Sequence, residues 1–465
     1  MGEPTLTDVF ADRGDGSVGL SQRTVLTLAF RANGPFEPPS RHVLGAIDCV
    51  TFGRGSRAAV RDERDGLRRL VLRVPDPMMS TDHGRLLHVR GRWRLDDPRS
   101  KNGAVVAGQP TRHAMLRPGD IFELGHTLFL FETADLPSDV PLDAFPAGVD
   151  AAGGLETLHH GLGREIALLV RVAAAEVPVL LLGETGTGKE IFARAVHALS
   201  GRRGPFVAVN CGGLAAGLME AELFGHRRGA FSGAVSDRPG YLRSADRGTL
   251  FLDEVAELSP AAQAALLRAL QQREVVPVGD ATPTAIDIRL VAATHRDLAE
   301  MVGRGAFRED LHARLQGLTV SLPPLRERRC DIGVLIASLL RRLGGGDEAR
   351  FVPAAAYALF RNPWPHNVRG LERCLETALA LAAGRPIAVE HLRLGVPVPE
   401  AALPAAAATA MMATPERDRL AELMLANRGN VSAVARALET SRSQVRRLLA
   451  RHGIAVANGA SDDED

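Results

Sequence analysis

Residues 177–190 read VPVLLLGETGTGKE. An apolar run, Val179–Leu182, passes without a break into a glycine-rich loop, and residues 191–199 beyond it are helix-forming. Strand, loop and helix in that order are the context in which G-x-x-x-x-G-K predicts a phosphate site. Gly183, Gly186 and Gly188, with Glu184, Thr185 and Thr187 between them, let the backbone turn its N–H groups toward phosphate oxygens. The following helix adds the positive end of its dipole. Lys189 supplies a point charge for the terminal phosphates. The chain has 56 basic residues, and its only lysines are Lys101 and Lys189, so lysine is retained here in a sequence that otherwise uses arginine. Glu190 stands where the general motif has the Ser or Thr that binds Mg²⁺. Metal binding must then rest on other groups, and ATP with Mg²⁺ is the expected ligand.

Working outward, 465 residues with 45% hydrophobic content predict two to four ordinary domains. A net charge of +1 excludes a bulk polyanion-binding field, so any nucleic-acid contact must come from a local patch. Cys49, Cys211, Cys330 and Cys374 form no C-x-x-C pair, which argues against a zinc site or disulfide framework. No apolar run approaches membrane-spanning length, and the first residues carry acids without an apolar signal-peptide core. The expectation is a soluble cytoplasmic protein with no membrane partner.

Residues 23–133 contain many short strands, at 24–30, 69–74, 86–89 and 127–131 among others, separated by Gly, Pro and Asp, and predict an all-β sandwich. Residues 134–154, with Pro137, Pro141 and Pro146, read as a linker. Residues 155–395 alternate strands and helices, the α/β pattern of a parallel sheet, with strands expected at 179–182, 206–210, 249–252 and 288–293. Ser259 before Pro260 marks a helix start. An Ala/Pro-rich second linker is expected at 396–415, and three helices at 416–456. The strand GTLFLDE (248–254) ends in two carboxylates at the edge where a parallel sheet faces its ligand. Asp253 is the candidate Mg²⁺ ligand and Glu254 the candidate general base for the attacking water.

NCGGL at Asn210, ELFGHRRGAFSGA at 222–234, LFLDE, AATHRDL at Ala292, FREDLHARL at Phe307, LPPLRER at Leu322 and WPHNVRGLER at Trp364 occur in this order. Together they resemble the AAA+ domain of sigma-54-dependent transcription activators over about 240 residues. That family commonly carries Glu at the position of Glu190. The resemblance implies an α/β P-loop ATPase with a helical lid. It implies that Asn210 restrains Glu254 until ATP is bound, and that His295, where Asn is more usual, senses the γ-phosphate. Arg308 and Arg314 would be arginine fingers acting on a neighbouring subunit of a hexamer or heptamer, and Arg369 the lid's nucleotide sensor. His366 and Gly370 depart from the usual Gly and Glu of the lid segment. Residues 229–234, GAFSGA, are similar to the sigma-54-contacting loop, with Phe231 expected exposed at a mobile tip and Ser232 in place of the usual threonine.

Gly53-Arg54, Ser80-Thr81-Asp82-His83, Ser100-Lys101-Asn102-Gly103 and LRPGDIFEL at 116–124 resemble the forkhead-associated (FHA) domain, a phosphothreonine-peptide reader. Arg54, Ser80 and Lys101 would meet the phosphate and Asn102 the peptide backbone. The C-terminal helices resemble a Fis-type helix-turn-helix: Ser441, Arg442, Ser443 and Gln444 would reach base edges, while Arg446, Arg447 and Arg451 would serve phosphates. The combined expectation is a regulator that binds upstream DNA, reads a phosphothreonine protein or Ser/Thr kinase signal, and uses ATP to remodel sigma-54 RNA polymerase. Two alternatives stay open: a DNA-bound repressor or adaptor that does not engage sigma-54, and a general AAA+ remodeller.

Overall fold

The structure is a computed structural model that describes residues 20–149, 155–215, 217–345, 349–394 and 431–437, with Arg442 and Val445. The strands of the N-terminal sandwich are β1 (Ser21–Arg31), β2 (Ser40–Val43), β3 (Cys49–Arg54), β4 (Ala58–Arg64), β5 (Leu67–Val74), β6 (Gly84–Val89), β7 (Arg92–Asp96), β8 (Ala104–Val106), β9 (Gln109–Thr111), β10 (His113–Met115), β11 (Asp120–Leu124), β12 (Thr127–Leu136) and β13 (Asp143–Ala144). One sheet runs β13-β2-β1-β12-β11-β8-β9 and the other β10-β7-β6-β3-β5-β4. Their inner faces meet in a core containing Leu26, Leu28, Phe52, Leu72, Phe122 and Phe129. The expected strands are present, and longer at their ends than the sequence reading drew them.

Residues 134–149 correct the linker expectation. β12 continues to Leu136, and Leu136 and Val140 are buried with Val25 and Val43. β13 pairs with β2, and Asp143 receives Arg61 at 2.7 Å while lying 2.7 Å from His42 Nδ1. Burial opposes ionisation of the Asp143 carboxyl, but bonds from Arg61 and His42 outweigh it and leave the carboxyl well below the usual range.

The central domain holds a sheet in the spatial order Phe206–Asn210, Thr249–Asp253, Arg289–Thr294, Val179–Leu182, Leu318–Ser321, with every pairing parallel. The first four match the expected strands and the fifth was not drawn from sequence. These strands are almost continuously apolar because helices cover both faces. Ser259 caps the helix Pro260–Gln272 as expected, accepting from the Ala262 N–H at 3.1 Å. A helical lid follows, with Ile332–Arg342, Pro353–Arg361 and Asn367–Ala382 as its helices.

The sandwich and the lid share one hydrophobic core. Ala29, Phe30, Ala32, Ile121, Leu128 and Leu130 are buried with Ile332, Ile336, Phe351, Phe360 and Leu371. The cause lies in β1, where the register with β12 shifts between Leu28 and Phe30. A bulge turns the next side chain to the other face of the sheet, so Leu26 and Leu28 fill the sandwich while Phe30 points into the lid. Phe30 meets Phe351 edge-on at 5.4 Å and Phe360 at 6.0 Å. The Phe351 N–H donates to Ala32 O at 2.8 Å and Arg329 donates to Gly119 O at 3.0 Å. Buried Asp331 accepts from Thr157 Oγ1 at 2.6 Å and the Leu158 N–H at 2.7 Å, while Arg41 of β2 donates to Leu158 O at 2.9 Å. The described residues between 20 and 394 accordingly form one compact unit.

Residues 399–465 form a second unit. Its described part is the helix Val431–Ala437 with buried Val434 and Ala435, plus exposed Arg442 and buried Val445. Ser441, Ser443, Gln444, Arg446, Arg447 and Arg451 lie outside the described residues. No helix among the described residues is long and apolar enough to cross a membrane.

Candidate active site

Register brings the site together. Leu182 pairs with Thr294, and Asn210 with Asp253, so the loop 183–188, Asn210, the two acids and His295 all follow strand ends on one edge of the sheet. The helix Lys189–Leu199 is capped by Gly188 with no side-chain hydrogen bond, which leaves its first N–H groups for an anion. Lys189 is buried and donates to Gly183 O at 2.8 Å, with its Nζ 3.8 Å from Glu254 Oε1. Thr187 is buried and its hydroxyl donates to Glu184 O at 2.8 Å. Glu190 is exposed and paired with Arg194 at 2.6 Å, one helical turn on.

Asp253 accepts from the Glu254 N–H at 3.1 Å. Burial pushes its carboxyl up, against the pull of nearby Lys189. A partly desolvated carboxylate that makes no salt bridge among the described residues fits a hard divalent ion completed by water and phosphate oxygens. Among the described residues no cluster of three or more His, Cys, Asp or Glu side chains could hold a metal, so the protein's share of such a site is small. Glu254 has a left-handed backbone, φ 53°, a strain of about 1–3 kcal/mol for a residue other than glycine. Its Oε2 lies 2.7 Å from His295 Nδ1. Asn210 is an exposed side chain at the neighbouring strand end, and the hydrogen-bond partner of the Glu254 carboxylate is His295.

The lid closes on the loop through contacts that sequence reading missed. Arg326 donates to both Glu184 oxygens at 2.9 and 2.7 Å, and Asn367 Nδ2 reaches Glu184 Oε2 and Thr185 O, each at 3.1 Å. Bonds from Arg326 first and Asn367 second push Glu184 down to about 2. Asn367 is fully buried with φ 52° and also accepts from the Leu325 N–H at 2.8 Å. Arg328 donates to Thr187 O at 2.8 Å. Gly186 must be glycine, because its φ is 81° and a Cβ there would stand 2.4 Å from His366 O. Arg369 is exposed, and its backbone N–H donates to Gly186 O at 3.3 Å. Arg326 and Arg328 lie in the LPPLRER segment and Asn367 in WPHNVRGLER, so the motifs were visible, but these partners are more than 130 residues from the loop and nothing local says that they meet it.

The remaining candidates lie elsewhere. Arg308 caps the helix Glu309–Leu315 and holds Asp310 with two bonds, at 3.0 and 2.7 Å; Arg314 is exposed and donates to Leu270 O at 3.3 Å. Residues 229–234 form a tight turn, with the Gly229 N–H bonded to Ala234 O at 2.8 Å and the Ala234 N–H to Phe231 O at 3.0 Å. Phe231 corrects the expectation of an exposed aromatic: it is half-buried, edge-on to His226 at 5.0 Å. Ser232 is exposed, and the exposed apolar residue nearby is Val235, 82% accessible. In the sandwich, the Arg54 N–H donates to Ser80 O at 2.9 Å, the Lys101 N–H to Ser80 Oγ at 3.3 Å, and Asn102 Nδ2 to Met78 O at 2.7 Å. The four candidate phosphopeptide residues thus converge on loops at one end. His83 braces them from inside, accepting from the Ser80 N–H at 3.1 Å, with Nε2 3.0 Å from Gly103 O.

Fold and site together define a P-loop ATPase with a helical lid, fused to a β-sandwich. Residues 158–321 match the sigma-54 interaction domain, 326–405 the AAA+ ATPase lid domain, and 50–125 the FHA domain. The chain is 40% identical to the transcriptional regulatory protein ZraR of Salmonella typhi, over 72% of this chain and 77% of that protein. It is 46% identical to a Nif-specific regulatory protein of Rhodobacter capsulatus, over 53% of this chain and 43% of that protein. NtrX of Brucella abortus, solved with ADP, aligns at 30% identity over 64% of this chain and 69% of that one, with a TM-score of 0.48. The chain belongs to the family of transcriptional regulatory proteins built on a sigma-54 interaction domain, an AAA+ ATPase. It spans 43–66% of the length of several of these curated relatives.

Proposed function

We propose that this protein is an ATP-driven activator of sigma-54 RNA polymerase whose ATPase is gated by phosphothreonine recognition at its sandwich. The observation that carries the reading is the convergence of Lys189, Asp253 and Glu254 on one sheet edge, in a domain of the sigma-54 interaction type. Lys189 and the free N–H groups of its helix bind the phosphates. Asp253 would hold Mg²⁺, which supplies charge neutralisation on the phosphates. Glu254 orients and deprotonates the attacking water. Arg308 and Arg314 act in trans: both are exposed, at the cap and on the outer face of the helix Glu309–Leu315, and a ring of subunits would bring them to the neighbour's nucleotide. Hydrolysis moves the loop 229–234, where exposed Ser232 and Val235 would meet sigma-54. Residues 416–456 would place the ring at upstream DNA.

Gating follows from the shared core. Arg54, Ser80, Lys101 and Asn102 bind the phosphothreonine segment of a partner protein, and the same sandwich is packed into the lid that closes on Glu184. Ligand binding at the sandwich then biases lid position to the extent that it prefers one lid state. A repressor or adaptor reading is favoured by one observation, the serine at position 232. The experiment that separates them is promoter opening by sigma-54 polymerase with wild-type protein and with Ser232→Ala. An activator opens the promoter, and the variant hydrolyses ATP yet opens it poorly. No opening by the wild type favours the alternative, and equal opening by both shows an activator that does not use Ser232 as its sigma-54 contact.

A further inference from the structure

Glu254 stands between two cations or donors that hold different oxygens. Lys189 Nζ lies 3.8 Å from Oε1, and His295 Nδ1 lies 2.7 Å from Oε2. We propose that His295 is the positioning residue for Glu254: its Nδ1–H holds Oε2 and so aims Oε1 at the attacking water. This deepens the ATPase reading and rests on it.

A carboxylate only accepts, so the proton in this bond belongs to His295 Nδ1, which fixes the tautomer. The two contacts differ in what ATP does to them. Lys189 is the residue that phosphates draw away, which frees Oε1. His295 sits on the other oxygen and keeps its hold. Glu254 needs such a hold, because its left-handed backbone, φ 53°, leaves the regular strand geometry before the side chain branches off. His295 is well placed to give it. It directly follows the strand Arg289–Thr294, whose last residue pairs with Leu182 and whose Thr294 O accepts from the Gly183 N–H at 3.2 Å. The Arg296 N–H donates to Thr294 Oγ1 at 3.0 Å and fixes the turn beyond. The backbone that carries His295 is therefore fixed beside the phosphate loop, within reach of the Glu254 carboxylate.

A γ-phosphate contact would make His295 a binding residue. A positioning role makes it a turnover residue. The test measures ATP affinity by calorimetry and kcat by phosphate release, for wild-type full-length protein, His295→Ala, His295→Gln, Glu254→Gln and the double variant His295→Ala/Glu254→Gln. His295→Ala should lower kcat about 10- to 100-fold, as expected for a misaimed catalytic group, with ATP affinity held within about twofold. His295→Gln keeps an N–H donor and should recover part of the loss. On the Glu254→Gln background, His295→Ala should cost nothing further, because both changes break one unit. Loss of ATP affinity in His295→Ala or His295→Gln, losses that multiply in the double variant, or unchanged kcat in His295→Ala would each overturn the proposal. A wild-type protein that binds ATP without turnover would overturn the ATPase reading, and the proposal with it.

Discussion

Replacing Phe30 by alanine should uncouple the sandwich from the ATPase lid. Phe30 belongs to a sandwich strand by chain connection and to the lid core by packing; it is 3% exposed and its ring meets Phe351 and Phe360. Truncating a buried phenylalanine costs about 3–5 kcal/mol, of which each aromatic pair accounts for about 0.5–1.5 kcal/mol. The cost falls on the joint, because Phe52, Phe122 and Phe129 still fill the sandwich interior. Guanidinium unfolding followed by far-UV circular dichroism, with limited proteolysis alongside, should show wild-type residues 20–394 melting together. Phe30→Ala should lower the midpoint and split the transition into sandwich and ATPase steps. Gly333→Ala attacks the same joint from the lid side, since a Cβ there would stand 2.1 Å from Ala29 O. A Phe30→Ala protein within about 0.5 kcal/mol of wild type, the range of a surface change, would refute the shared core.

Three further outcomes follow from the site. Lys189→Ala should abolish ATP binding, whereas Glu254→Gln should bind ATP and turn it over at least about 100-fold more slowly; near-normal turnover in Glu254→Gln, measured by phosphate release, would remove the assigned base. Arg308→Ala mixed with Lys189→Ala subunits should show turnover that depends on their ratio, and concentration-independent turnover would exclude sharing across an interface. Calorimetry with phosphothreonine peptides should show binding that is lost in Arg54→Ala, and equal binding of unphosphorylated peptides would exclude the phosphate role. Glu184 adds a pH dependence: its folded pKa lies below its ordinary value near 4.5, so the clamp to Arg326 is intact above that value and lost as pH falls toward about 2. Lid closure, followed by proteolysis, should therefore be unchanged from pH 7 to 5 and loosen below about pH 4, less so in Glu184→Gln, which starts from a weaker clamp.

How far the sequence could be read depends on the range of the interactions. The loop 183–189 and the pair Asp253–Glu254 were legible because chemistry and local geometry are written in adjacent residues. The sandwich was legible as strands but not in its attachment. A single bulge after Leu28 sends Phe30 into the lid, and a bulge leaves no mark in residue type. One signal was present: LFLF at 128–131 is continuously apolar, as a strand buried on both faces requires, and Leu128 and Leu130 prove to face the lid while Phe129 and Phe131 face the sandwich. The prolines of 134–149 suggested a linker, yet Asp143 anchors that stretch through His42 and Arg61, residues some 80 to 100 positions earlier. Arg326 and Asn367 on Glu184 are of the same kind, long-range partners of a residue whose own motif gave only its neighbourhood.

The measurement closest to the central claim is promoter melting, read by permanganate reactivity, with purified full-length protein, sigma-54 polymerase and a sigma-54 promoter. The account predicts melting that requires hydrolysable ATP and is lost in Glu254→Gln although that variant still binds ATP. Melting without ATP, or undiminished melting by Glu254→Gln, would contradict it.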